Sequence, residues 1–446
     1  MVNISELADS VERQLQGRSL DAWEIMTGQS RTLSIEVKEG AVDTFKSAEP
    51  VAVSIRLLKG GGLGFSYSSS FAAADIERMI AAALTGAQVQ TPDSCNLLPA
   101  PAAFTPMPEL YDPALAAVPV AAKIARAIEL ERLALAADCR ITRVRKAAYG
   151  ENSYDVHLRN SLGICAGYRG SSLSCSVAPL AEAAGESQLG WDFAFANSYE
   201  ALDIAAIATG AAARATAMLG ARTITSMRAP VILDSRVAGE FLELLAPSFS
   251  AENLFKGKSL LKGREGERLF PEIITIRDDG TLAGGMATAP FDGEGVPAQN
   301  TPLVTGGVVN GFLFDSVYAA RMGAATTGNS ARAGVKGLPH LGISNFFIEN
   351  GTSTPAALLA GISRGLLLTS LIGMHTANPV SGDFSVGATG CLIENGQLTQ
   401  PVKGVAIAGN VLELFKNIEM VGSDRRFYSA VGSPSLKIAS LEISGD

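Results

Sequence analysis

Apolar positions recur at two spacings along this chain, and they divide it into alternating helical and extended stretches. From Ile4 to Gln16 they fall at helical spacing, with Asn3 or Ser5 as N-cap and Gly17 as a stop. Extended stretches follow at Thr32–Val37 and Val51–Leu58, and the second runs into Lys59-Gly60-Gly61-Gly62-Leu63-Gly64, a glycine turn of hairpin type. Ala72 to Leu84 returns to helical spacing. Between Pro92 and Pro119 lie seven of the 20 prolines, which excludes a continuous helix or a central strand and predicts a surface linker.

A helix from Val120 to Ala137 opens a second unit, with Val120, Ile124 and Ile128 on one stripe. Three alternating runs come next: Tyr154, Val156 and Leu158; Ile164, Ala166 and Tyr168; Leu173, Cys175 and Val177. An alanine-rich helix from Tyr199 to Leu219 closes the unit at Gly220. Beyond Ala229-Pro230, the dipeptides Asp279-Gly280, Asn310-Gly311 and Asn395-Gly396 predict tight hairpins. Helices are expected near Ser353–Ile362 and Val411–Asn417. The predicted class is α+β: N-terminal α/β units with mixed sheets, then a largely antiparallel, β-rich C-terminal domain carrying a few helices. The expected divisions are residues 1–90, a proline-rich linker over 91–119, a second unit over 120–225 and a C-terminal domain over 229–446.

Composition narrows the functional classes. Apolar residues make up 47% of the 446 and charged residues 18%, enough core material for an ordered chain. The net charge is −8, and no block of Lys or Arg offers a phosphate backbone a basic face, so nucleic acid is not expected as a direct ligand. The start Met1-Val2-Asn3-Ile4 lacks the basic and apolar regions of a leader peptide, and the apolar runs Ala205–Leu219 and Gly365–Met374 are too short or interrupted to span a bilayer. Five cysteines (Cys95, Cys139, Cys165, Cys175, Cys391) form no C-x-x-C pair, which predicts reduced thiols in a cytoplasmic protein.

Common catalytic motifs fail on single residues. Gly257-Lys258-Ser259 ends like a P-loop, but Glu252 stands where the phosphate-cradling glycine is required. The Gly60–Gly64 run has Phe65 in place of the last glycine of a dinucleotide fingerprint and leads into a strand. No G-x-S-x-G elbow occurs, and none of His157, His340 and His375 belongs to an H-E-x-x-H motif. His375 precedes Asp383 by eight residues on one loop, a pair that can share a proton or a metal, although no third ligand is visible.

A series of short strings changes this picture. Pro290-Phe291-Asp292-Gly293-Glu294-Gly295-Val296, Thr327-Gly328-Asn329 and Ser381-Gly382-Asp383-Phe384-Ser385 resemble, in order and spacing, the TldD/TldE (PmbA) family. Ile393-Glu394-Asn395-Gly396, Pro401-Val402-Lys403-Gly404, Ala408-Gly409-Asn410 and the ending Val421-Gly422-Ser423-Asp424 extend the resemblance over about half the chain. The family, also called modulator of DNA gyrase, is associated with a cytoplasmic zinc peptidase built from two related subunits. Its TldD-like member carries H-E-x-x-x-H on a helix and a cysteine near the C-terminus, so that imidazoles and a thiolate hold zinc and the glutamate acts as base toward the zinc-bound water.

In this chain the matching helix begins Val237-Ala238-Gly239 and places Glu243 at the first histidine, Leu244 at the glutamate and Ser248 at the second histidine. The stretch Arg426–Gly432 holds no cysteine. A leucine cannot take a proton from water and a serine is a poor zinc ligand, so the resemblance implies the TldE/PmbA side of the family. No catalytic residue and no metal are expected in this chain, and zinc is expected in a TldD-like partner. The implied partners are that subunit, or a second copy of this chain, and a peptide or unfolded protein handled as an extended strand. The expected peptide-contacting positions are Thr327, Asn329, His375, Gly382, Asp383 and Phe384. Two alternatives remain: a self-sufficient metal peptidase using His375, Asp383 and Glu243, and a homodimeric regulator that binds peptides or proteins.

Overall fold

The computed structural model describes residues 3–104, 107 and 110–446. Pro106 and Pro108 of the linker, and Met1 and Val2 of the start, lie outside the described residues. Helix α1 (Ile4–Leu15) begins where the Asn3 side chain accepts hydrogen bonds from the Ser5 and Glu6 N–H groups. Four strands follow, β1 (Ala22–Lys38), β2 (Ala41–Ala48), β3 (Val51–Lys59) and β4 (Gly62–Ser68), then helices α2 (Ala73–Val89), α3 (Pro113–Ala117) and α4 (Val120–Ala136). Strands β5 (Ile141–Asn160), β6 (Cys165–Ala183), β7 (Glu186–Leu189) and β8 (Asp192–Ala196) and helix α5 (Ile204–Ala217) complete this half.

All eight strands belong to one sheet, ordered β4-β3-β1-β5-β6-β7, with β2 also on β1 and β8 also on β6. Every pairing in it is antiparallel. The class is α+β, but the mixed pairing expected of the N-terminal units belongs to the C-terminal one. Hairpins generate the first sheet, and β5 returns alongside β1 in the opposite direction, so no parallel crossover arises.

Along β6 the buried face of this sheet switches from one end of the strand to the other. Residues 173, 175 and 177 of β6 are buried with Leu33, Ile35 and Val37 beneath α4 and α5. On the other parity, Leu158, Ile164 and Tyr168 pack against Phe291 of the C-terminal half. Neighbouring residues of a strand face opposite ways, so moving the cover across the sheet swaps which positions are apolar. The runs Ile164–Tyr168 and Leu173–Val177 read as two strands for this reason, although β6 is continuous.

The C-terminal half opens with β9 (Met227–Leu233), α6 (Ser235–Leu245) and α7 (Ala251–Phe255). Then come β10 (Ile276–Asp279), β11 (Asn300–Thr305), β12 (Val308–Val309), α8 (Ser316–Met322), β13 (Ser330–Ala331), β14 (His340–Leu341), β15 (Phe346–Ile348) and α9 (Pro355–Leu359). Strands β16 (Arg364–Ile372), β17 (Asp383–Glu394) and β18 (Gln397–Asn410) precede α10 (Val411–Lys416), and β19 (Ile418–Val421), β20 (Arg426–Phe427), β21 (Val431–Ser433) and β22 (Leu436–Ser444) end the chain's regular structure. One sheet runs β18-β17-β16-β9-β22-β19 and closes on itself through a further β18–β22 pairing; a second runs β12-β11-β10-β15-β21-β20. The parallel pairs are β9–β16 and β15–β21. Phe241, Leu242 and Leu245 of α6 are fully buried with Phe249, Phe346 and Phe415 in the shared core. Each such side chain contributes about 1.5–3 kcal/mol of burial.

Of the three predicted hairpins only Asn395-Gly396 forms, with both residues at positive φ (50° and 76°) between β17 and β18. Asp279-Gly280 is instead an Asx turn, its carboxylate accepting from the Thr281 N–H at 2.8 Å. The β11–β12 turn uses Gly306-Gly307, and the Asn310 amide donates to the Pro302 carbonyl at 3.1 Å.

Candidate functional site

The helix that would carry the family's zinc motif starts at Asp234, which caps it by accepting from the Val237 N–H at 2.8 Å. Arg214 of α5 donates to Asp234 at 3.0 Å and to the Tyr428 hydroxyl at 3.0 Å. Arg426 donates to Asp192 at 2.7 Å, the Arg236 guanidinium lies 5.1 Å from the centre of the Trp191 ring, and that ring stacks on Phe193. Three separate parts of the chain thus meet over α6: residues 191–193, α5 and residues 426–428. Burial raises the Asp234 carboxyl against the Val237 N–H and Arg214, and it raises Glu240 against Arg236.

The three motif positions point into different surroundings. Glu243 is exposed, Leu244 faces the core, and Ser248 is completely buried in the short turn after α6. The Ser259 hydroxyl donates to the Ser248 carbonyl at 2.5 Å, while the Ser248 hydroxyl itself has no partner among the described residues. Residues 426–428 bring a guanidinium and two aromatic rings, Phe427 and Tyr428, to the place where the family pattern has a thiol. A hydrocarbon, a core hydroxyl and a solvent-facing carboxylate are not a zinc donor set, so these residues do not fit the metal. Among the described residues no group of three or more His, Cys, Asp or Glu side chains is gathered as a metal site.

A cleft of about 270 Å³ lies where the C-terminal half meets the first sheet, between Met26, Val156 and Tyr168 on one wall and Phe291, Asn329 and Ser344 on the other. Asn329 is almost fully buried; its amide donates to Asp278 at 2.7 Å and its carbonyl accepts from the Thr327 hydroxyl at 2.6 Å. Thr327 in turn accepts from the Phe314 N–H at 2.8 Å, so this turn is held from both sides. Burial pushes the Asp278 carboxyl up against hydrogen bonds from Ser344 and Asn329. Asp292 accepts from the Glu294, Val296 and Ser330 N–H groups at 2.8, 3.0 and 2.9 Å. Burial, together with the neighbouring Glu294, still pushes it up to about 7.

Beneath the cleft runs a buried ion network that ties the two halves together. Arg56 of β3 donates to Glu24 of β1 at 2.7 Å and to Glu294 at 2.8 Å, and Arg332 pairs with Glu24 and donates to the Gly293 carbonyl. All four side chains are at most 3% exposed. Burial works to raise the Glu24 carboxyl, but Arg56 and Arg332 hold it below its usual range.

The remaining expected residues lie elsewhere. His375 is exposed on the turn before Ala377, and Asp383 is exposed at the start of β17, accepting from the Asn410 amide at 2.9 Å. That bond and one from Ser381 lower its carboxyl. Phe384 is buried edge-on against Phe241, ring centres 4.8 Å apart, and Gly382 packs against Leu260 and Asn410. The structure therefore brings Asn329, bonded to Thr327, to the cleft, and it leaves Glu243, His375 and Asp383 exposed and outside the cleft's lining, the last two on one loop. Sequence reasoning missed Asp292, Glu294 and Arg56. Asp292 and Glu294 lie within the string Pro290–Val296, and Arg56 is the one charge in the mostly apolar run Val51–Leu58, an anomaly that calls for a buried partner.

Three family descriptions match the chain: PmbA/TldA metallopeptidase domain 1 over residues 23–87, the central domain over 113–219 and the C-terminal domain over 226–445. The chain is 26% identical over 449 residues to the metalloprotease PmbA of Escherichia coli O157:H7, covering 99% of this chain and 96% of that one. It is 26% identical over 461 residues to a metalloprotease TldD homolog of Haemophilus influenzae, with 96% and 94% covered. The crystal structure of TldE from Thermococcus kodakarensis matches at a TM-score of 0.90 and 25% identity over 100% of both chains. Among the described residues no helix is long and apolar enough to cross a membrane.

Proposed function

Because this chain belongs to the PmbA/TldD metallopeptidase family, we propose that it is the PmbA/TldE-type subunit of a two-component, cytoplasmic zinc peptidase, non-catalytic itself and shaping the chamber in which unfolded peptides are cut. The observation that carries this reading is the fate of the motif helix. Its backbone is present, capped and packed, yet the three motif positions hold an exposed Glu243, an inward Leu244 and a fully buried Ser248. A general base must reach the reacting water, and a leucine offers neither a proton acceptor nor a metal donor. Zinc and hydrolysis then belong to a TldD-like partner carrying H-E-x-x-x-H. The charged and aromatic wall over α6, with Arg214, Arg236, Arg426, Trp191 and Tyr428, is what this subunit presents near that position.

The test is purification of the chain alone and together with its TldD-like partner, with zinc measured by elemental analysis and turnover of an unfolded peptide measured in both. Less than a tenth of a zinc per chain alone, and turnover only in the complex, is the expected result. Turnover by the chain alone would overturn the reading in favour of a self-sufficient enzyme. No turnover and no complex, with the chain forming a stable homodimer, would leave a binding protein.

A further inference from the structure

The hairpin β13–β14 reaches from the C-terminal half onto the first sheet, and it is held firmly at one end only. At its root Arg332 is pinned by Glu24 and the Gly293 carbonyl, and the Ser330 N–H is bound by Asp292. At its tip Gly334, at φ 68°, opens a turn closed by the Gly337 N–H on the Gly334 carbonyl at 3.2 Å. Val335 rests over Gly28 of β1 so closely that a Cβ on Gly28 would come within 2.7 Å of the valine Cγ2. Lys336 adds a cation–π contact at 5.5 Å with the exposed ring of Tyr67. Among the described residues no backbone hydrogen bond joins residues 333–336 to the sheet.

The tip partitions one groove into two. The 270 Å³ cleft lies on one side, a cavity of about 480 Å³ lies on the other, and Met26, Val156 and Gly334 belong to the walls of both. The floor is a single face of the sheet, with Met26 opposite Leu158, Gly28 opposite Val156, and Ser30 opposite Tyr154. At about 3.4 Å per residue, Met26 to Ser30 spans about 14 Å, the length of about four residues of extended chain. Among the described residues Lys336 is the sole charged side chain lining the second cavity, and Asp292 and Arg332 of the first are engaged by the chain itself. A neutral floor with a socket already filled by the chain's own valine suits an uncharged, extended segment with an aliphatic side chain.

We propose that this groove binds an extended peptide with an aliphatic side chain in the socket over Gly28, and that the β13–β14 tip is a flap that vacates it. The proposal rests on the reading of this chain as a peptide-handling subunit and names where in it the peptide lies. Occupation costs only the Val335 and Lys336 contacts, because the root of the hairpin does not move. In the free protein Val335 competes with the incoming side chain, so apparent affinity is reduced by the fraction of time the flap is down.

The experiment is fluorescence anisotropy of a short fluorescein-labelled peptide of Ala, Val and Ser with the full-length chain alone, compared with the same peptide carrying aspartate in place of valine. Val335→Gly, a change on a half-exposed loop, is expected to tighten binding about fivefold by removing the competing aliphatic group. Gly28→Ala fills the socket and is expected to weaken binding and abolish the gain from Val335→Gly in the double variant. Equal binding of the valine and aspartate peptides, or binding unchanged in both Val335→Gly and Gly28→Ala, would overturn the groove. Turnover with the partner, assayed in parallel, separates the two ideas. Partner-dependent turnover without these binding effects retires the groove alone, whereas absence of both binding and turnover retires the peptide-handling reading as well.

Discussion

Arg56→Met is the sharpest test of what joins the two halves of the molecule. Arg56 lies between Glu24 at 2.7 Å and Glu294 at 2.8 Å, and all three side chains are at most 2% exposed. Its removal leaves Glu24 with Arg332, but it leaves Glu294 with one remaining donor, the Ser316 N–H at 3.1 Å. Removing one partner of a buried pair typically costs about 3–5 kcal/mol, because the other charge stays in a medium that cannot solvate it. Against a total stability of about 5–15 kcal/mol for a domain, that is a large fraction. The assay is urea unfolding followed by tryptophan fluorescence, for which Trp23, next to Glu24 in β1, is a local reporter. The companion variant Arg56→Met with Glu294→Gln removes the stranded charge, and it should recover at least about 2 kcal/mol of the loss. The sign of the pH dependence follows from Glu24. Its folded carboxyl is held below the unfolded value, so its contribution is present at neutral pH and is lost as pH falls through the lowered folded value. A single-variant loss below about 1 kcal/mol, or a double variant no more stable than the single, would refute the reasoning.

Asp292 gives the opposite pH signature: its folded carboxyl is raised to about 7 from 3.8, so the folded state holds a proton that the unfolded state has released, and stability should fall as pH rises from about 4 to about 7. Thermal midpoints of the parent and Asp292→Asn between pH 5 and 8 check this; the variant should have a flatter profile, and parallel profiles would count against it. Restoring the motif with Glu243→His, Leu244→Glu and Ser248→His should not create a zinc site, because Ser248 is fully buried and Leu244 faces the core. Elemental analysis should find no stoichiometric zinc, and urea unfolding should show a loss of about 3 kcal/mol or more from the buried charge and the overfilled serine site. Asp383→Ala removes one of the two acceptors of the Asn410 amide at the start of β17, and it should lower turnover by the complex without dissociating it; unchanged turnover would exclude Asp383 from peptide handling.

The sequence by itself determined the local elements whose signals are short-range. Helix α1 begins at Asn3, α10 begins at Asn410, and the Asn395-Gly396 turn forms, because caps and positive-φ turns depend on a few adjacent residues. That Leu244 offers no metal donor was equally legible, since a hydrocarbon side chain has none in any fold. Tertiary structure decided the rest. It set which face of β6 is buried at each end, because covering layers come from parts of the chain far from the strand they cover. It decided that the Asp279-Gly280 and Asn310-Gly311 dipeptides would not close hairpins, since β10 pairs with the distant β11 and β15 and β12 is already joined to β11 by the Gly306-Gly307 turn. It also brought Arg56 to Glu294, 238 positions away, and the tip of the β13–β14 hairpin onto Gly28. Those contacts shape the cleft, and they depend on how two halves dock, which local periodicity does not encode.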